Sequence, residues 1–121
     1  MQKDSIINID LSYLHFVTDG DKEFEKTLLA SAVTDIQNQV EGLQKAWQQQ
    51  NAAEVRNAAH SLKSVTAIAG LMQIQNSCKI IDNLFADGVF HADAAGSCND
   101  IVNGWEAARP QLEQVINSYQ Y

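Results

Sequence analysis

Leu29, Val33, Ile36, Val40, Leu43 and Trp47 recur at intervals of 4, 3, 4, 3 and 4 residues. A helix with about 3.6 residues per turn gathers such a series onto one side, whereas a strand would scatter it over both faces. The constraint is strict: a chain carrying this stripe must bury one long helical face against other elements. Asp21 stands where a helix N-cap belongs, and Glu23 and Glu25 follow near the positive end of the helix dipole. From Asp21 to Gln49 the helix would span about 43 Å at 1.5 Å per residue. Elsewhere β-branched residues are scattered and period-2 alternation is absent, so no strand is expected.

The remaining segments repeat the pattern. Beyond a short loop at Gln50-Asn51, a second long helix buries Val55, Ala59, Leu62, Thr66 and Ala69, with Ala58 and Val65 alongside. Gly70 is its expected stop, since glycine accepts the left-handed conformation of a helix end. A third helix carries Leu71, Ile74, Cys78, Ile81 and Phe85, closed by Asp87-Gly88. A fourth, from about Ala92, presents Ile101, Trp105, Ala108, Leu112, Val115 or Ile116, and Tyr119, with a kink or break expected at Pro110. A short leading helix is expected to be capped by Asp10. The reading is all-α: an antiparallel up-down-up-down four-helix bundle with a short additional N-terminal helix, one domain over residues 1–121.

Charge narrows the function. Fifteen acidic against eight basic residues give a net charge of −7, which argues against nucleic acid or an anionic membrane as partner. The charge is uneven, because Val55 to Ile81 contains no Asp or Glu but holds Arg56, Lys63 and Lys79. A basic strip on an acidic protein suits an acidic partner surface. Cys78 and Cys98 form no CxxC pair, and Cys78 falls in an apolar pattern, as a reduced core residue would. The start, Met1 to Ser5, lacks the apolar stretch of a signal peptide, and no run is long enough to span a membrane. A cytoplasmic location is therefore expected, with no membrane contact by this domain.

His60 and Lys63 lie one helical turn apart. At about 100° per residue His60 falls roughly 160° from Leu62, so it faces away from the buried stripe. Exposed imidazoles, which ordinarily titrate near 6.5, are competent nucleophiles at neutral pH. Lys63 projects from the same side and could hold phosphoryl oxygens as a point charge. Ala53, Arg56, Lys63, Ser64 and Ala67 surround His60 on the helical wheel. The small members leave a flat surface and Arg56 and Lys63 give it positive charge, a candidate docking surface of Arg56, Ser64 and Ala67.

The series His60, Leu62, Lys63, Ser64, Thr66, Gly70, Ile74, Cys78, Ile81 and Asp82 resembles the motif of the histidine-containing phosphotransfer (HPt) domains. Asp10 to Leu14, Gly20-Asp21 and Phe24 are similar to that family's opening, so the resemblance covers about Asp10 to Phe85, while the last helix matches only in pattern. Ser64 departs from the pattern, where the family often has Gly, but is nearly as small. The resemblance implies a phosphocarrier of multistep two-component phosphorelays, without ATP-dependent kinase activity. His60 would be the phosphoacceptor, taking a phosphoryl group from a receiver aspartate and passing it to another receiver, and Lys63 would stabilise the phosphoryl oxygens. The implied partners are response-regulator receiver domains and a hybrid sensor histidine kinase. No cofactor of its own is implied; Mg²⁺ is expected in the partner receiver.

Other readings remain. His60 could be a solvated surface histidine, Lys63 an ordinary solvating lysine, Arg56 a generic surface charge, and Ser64 and Ala67 small only for packing. A second function is a non-phosphorylated helical adaptor that binds a receiver or sensor kinase. A di-metal bundle would want Glu-x-x-His pairs, and none occurs. His15 and His91 have no partner at metal-ligand spacing and read as surface or cap residues. Trp47 and Trp105 read as core, while Tyr13, Phe16 and Val17 are either core or docking rim.

Overall fold

A computed structural model describes residues 8–119. The reading of Met1 to Ser5 as free of a signal peptide concerns residues outside that range. The described chain forms α1 (Ser12–Thr18), α2 (Lys22–Gln48), α3 (Ala52–Ile68), α4 (Met72–Leu84) and α5 (Ala95–Ser118). Helix α2 packs on α3, α3 on α4, α4 on α5, and α5 returns to α2, closing an antiparallel four-helix bundle. The short α1 lies across α2 and α3. Among the described residues, no helix is long and apolar enough to cross a membrane.

The predicted stripes are the core. Leu29, Ile36 and Leu43 of α2, Val55 and Leu62 of α3, Ile74 and Ile81 of α4, and Ile101 and Leu112 of α5 are fully or almost fully buried. Burying each such side chain contributes roughly 1.5–3 kcal/mol, so the bundle is held by these rows rather than by helix propensity. Trp105 is buried, but Trp47 is only half-buried and sits at the end of the bundle against Phe85 and Phe90. Tyr13 and Phe16 are exposed and Val17 is half-buried, so the two aromatic rings lie outside the core.

The ends of the helices set the register. Asp21 accepts from the Phe24 amide at 3.1 Å and Asn51 from the Glu54 amide at 3.2 Å, satisfying otherwise unpaired donors of α2 and α3. At the end of α3 the Leu71 amide returns to the Thr66 carbonyl at 2.9 Å, and the Gly70 amide to Ala67 at 3.2 Å. That double closure needs a left-handed residue, and Gly70 supplies it with φ +74°. Gly70 also lets the chain leading into α1 come close, because its carbonyl accepts the Asp10 amide at 3.0 Å.

Three expectations change. Asp10 is not the N-cap of α1: that position is Leu11, and the Asp10 carboxylate reaches past it to the Ser12 amide at 3.0 Å and hydroxyl at 2.6 Å. Helix α5 begins three residues later than expected, after a 3₁₀ turn at Ala92–Ala94. It also runs without a break through Pro110. Pro110 and Glu106, whose carbonyl loses its partner, are both exposed, so water can satisfy that group.

Gly70→Ala should destabilise the fold by about 2 kcal/mol or more, since a left-handed alanine costs roughly 1–2 kcal/mol and its Cβ would collide with the Asp10 backbone. Gly88 has a similar φ of +79° but open space around it, so Gly88→Ala should cost only about 1 kcal/mol. Urea denaturation of the two variants measures the difference.

Candidate functional site

Arg56, His60 and Lys63 are spaced 4 and 3 along α3 and form one row beside its buried stripe. The turn at Gly70 folds α4 back against that row. On α4 the buried side is Ile74, Ser77, Cys78, Ile81 and Asp82. Asp82 is thus an acid at an interior position, and it meets all three members of the α3 row.

The geometry is convergent. Lys63 Nζ lies 2.6 Å from Asp82 Oδ2, His60 Nδ1 lies 3.1 Å from the same oxygen, and Arg56 Nε donates to Oδ1 at 3.1 Å. The Asp82 side chain is 6% exposed, Lys63 30% and His60 68%. Burial alone would raise the Asp82 carboxyl, but hydrogen bonds from Lys63, His60 and Arg56 outweigh it and hold the group down to about 2. Asp82 is therefore ionised at neutral pH and can only accept.

The orientation of the imidazole follows. A nitrogen facing a carboxylate must carry the proton, so His60 donates from Nδ1. In the neutral ring the lone pair is then on Nε2, on the solvent side. Two cations against one carboxylate leave the cluster with a single net positive charge when the ring is neutral. The backbone beneath is braced as well. Gln75 of α4 donates to the Lys63 carbonyl at 3.0 Å, and the buried Thr66 hydroxyl donates to the Leu62 carbonyl at 2.6 Å.

The structure brings Arg56, His60 and Lys63 together. Ser64 is exposed beside them, its hydroxyl 3.4 Å from the Ser61 carbonyl, and Ala67 is half-buried one turn further along α3. Ala53 is exposed one turn beyond Arg56. The basic strip expected from the acid-free window is thus partly neutralised, because Arg56 and Lys63 turn to an acid placed just after the window ends. Sequence reasoning matched Asp82 to the motif but gave it no task. The available signal was a charged residue flanking the apolar series Ile74, Cys78, Ile81 and Phe85. Cys78 is fully buried, and burial pushes its thiol up to about 12. That suits the inert core role expected of it.

The Hpt domain family model matches residues 27–118 of the chain. Among solved structures, the chain is similar to histidine-containing phosphotransfer protein B from Pseudomonas aeruginosa PAO1. The TM-score is 0.80 at 20% sequence identity, over 93% of this chain and 96% of that one. At that identity the likeness is one of fold. A comparison with curated proteins finds no match.

Because the Asp82 carboxyl is depressed in the folded state, its stabilising contribution is complete above its ordinary value near 3.8 and is lost as pH falls toward about 2. Allowing for solvent screening at half-exposed Arg56, that loss should be on the order of 1–2 kcal/mol. Asp82→Asn should be less stable than the parent at neutral pH and show a flatter decline between about pH 5 and pH 2. Denaturation midpoints across that range read both effects.

Proposed function

Because this chain belongs to the Hpt domain family, matched over residues 27–118, we propose that His60 is the phosphoacceptor of a phosphorelay carrier. Hpt domains carry phosphoryl groups in two-component relays, interact there with receiver domains and kinases, and are not themselves kinases. The observation that carries the residue assignment is the Asp82 bond to His60 Nδ1, which leaves Nε2 unprotonated on a ring 68% exposed.

The chemistry balances without an added base. The Nε2 lone pair attacks phosphorus of a receiver aspartyl-phosphate, the N–P bond forms, and the P–O bond to the aspartate breaks to restore its carboxylate. The ring keeps its proton on Nδ1 and becomes cationic, and Asp82 faces that charge. The same protonated ring is a good leaving group, so transfer to a second receiver runs as the reverse of the first step. Lys63, already 2.6 Å from Asp82 and 30% exposed, is placed to share its charge with phosphoryl oxygens.

Arg56, Ser64 and Ala67 form the surface on which the receiver docks. Small side chains there let an acidic pocket descend over the ring, and the net positive charge steers it. Any Mg²⁺ would belong to the receiver. The donor system includes a hybrid sensor kinase, the exchange takes place in the cytoplasm, and this chain takes part in it as a single domain.

Incubation with a receiver bearing labelled aspartyl-phosphate tests the reading. Wild-type protein should acquire an acid-labile, base-stable label and His60→Gln none. His60→Gln should stay folded, since Arg56 and Lys63 still satisfy Asp82. A helical adaptor would bind the receiver without labelling. Lys63→Ala should slow transfer on the order of tenfold, the loss of a charge-assisted contact worth about 1.5 kcal/mol. Ala67→Trp should block transfer while leaving the helical circular dichroism unchanged, and normal transfer by that variant would place the docking surface elsewhere.

A further inference from the structure

His15, on α1, repeats the arrangement of His60 against a different buried acid, Glu25 of α2. Its Nδ1 lies 2.7 Å from Oε2 of Glu25, a carboxylate that is fully buried. Lys22 Nζ is 3.7 Å from the other oxygen, Oε1. Thr18 donates to Oε2 at 3.2 Å and the Tyr119 hydroxyl to Oε1 at 3.0 Å, so the carboxylate is held from α1, α2 and the end of α5. Burial would raise the Glu25 carboxyl, but the bonds from His15, Tyr119 and Thr18 bring it below its ordinary value. It is ionised and accepts only, so His15 also donates from Nδ1, and its lone pair is on Nε2 of a ring 52% exposed.

His91 supplies the contrast. There Nε2 faces both Asp87 oxygens at 3.0 Å, and the side chain is 23% exposed with its ring edge against Phe85. Its free lone pair is on Nδ1, the nitrogen nearer the backbone. The molecule thus holds two imidazoles with an outward Nε2 and a buried carboxylate behind them, and one that is reversed.

We infer that His15 is a second histidine built for N-phosphorylation at Nε2, taking its phosphoryl group from a small phosphoramidate or acyl-phosphate donor. A small donor fits because Tyr13 and Phe16 project from the same short helix, 50% and 80% exposed, and break the flat surface a protein domain would need. One lysine faces the Glu25 carboxylate where two cations face Asp82, so with a neutral ring this cluster lacks the net positive charge found at His60. In the step with phosphoramidate, Nε2 attacks phosphorus, the N–P bond to the ring forms, and the P–N bond of the donor breaks, releasing ammonia. The ring retains its Nδ1 proton against Glu25, which offsets the new positive charge.

The test uses the full chain carrying His60→Gln, treated with phosphoramidate and followed by ³¹P NMR and peptide mass spectrometry. The expected product is Nε2-phosphohistidine at residue 15, formed before any label at His91 and lost in the His15→Gln/His60→Gln double variant. In urea the two remaining histidines should label at similar rates on both nitrogens. No label at His15 in the folded protein, label on its Nδ1, or a rate no greater than that of His91 would overturn the inference. Receiver-dependent labelling of His60 is measured separately and should be unchanged by His15→Gln, so either reading can fail alone.

Discussion

One buried carboxylate organises the face of this bundle. Asp82 on α4 accepts from Arg56, His60 and Lys63 on α3, and by doing so fixes three side chains that would otherwise wander in solvent. Taking a lone carboxylate out of water is costly, and three donors on two oxygens offset that cost. The arrangement tolerates the loss of one donor better than the loss of the acceptor, because two cations would then face each other without a counter-charge. The free nitrogen of His60 is therefore defined by a carboxylate that is itself almost fully buried.

That carboxylate reaches its place through the backbone. The left-handed Gly70 closes α3, reverses the chain, and lets Asp10 dock on the same turn, so a single glycine sets both the register of α4 and the seat of α1. At the opposite end of α2 and α3, Gln50 takes a similar conformation at φ +53°, and the Asn51 amide returns to the Ala46 carbonyl at 3.0 Å. Two turns of one design, with different residues at the left-handed position, hold the central hairpin. Among the described residues, every buried side-chain nitrogen and oxygen has a hydrogen-bond partner. The chain meets the two buried acids, Glu25 and Asp82, in the same way: each is shared by a histidine and a lysine.

Much of this was legible before any coordinates. The 4-3-4-3-4 row of α2 and the apolar series of the other helices gave the bundle, its cap at Asp21 and its stop at Gly70, while Gln50-Asn51 read only as a loop and its capping role came from the structure. The outward direction of His60 followed from its angle to Leu62. At Pro110 the helix does not break, because the carbonyl freed by the proline belongs to exposed Glu106, where water can reach it. Glu25 was read as a dipole partner near the start of α2, but its position also faces the core, where His15 and Tyr119 come from distant parts of the chain. His15 and His91 looked alike in sequence and differ in which nitrogen meets an acid.

Periodicity and spacing determined the helices, their buried faces and the solvent-facing imidazole, because those depend on residues within a few turns of one another. The tertiary structure alone decided which nitrogen of that imidazole is free and how the charges of Arg56 and Lys63 are spent. Asp82 lies 22 residues beyond His60, and hydrogen-bond direction between them exists only once α4 is packed on α3. Local pattern fixes where a side chain points; only packing fixes what it points at.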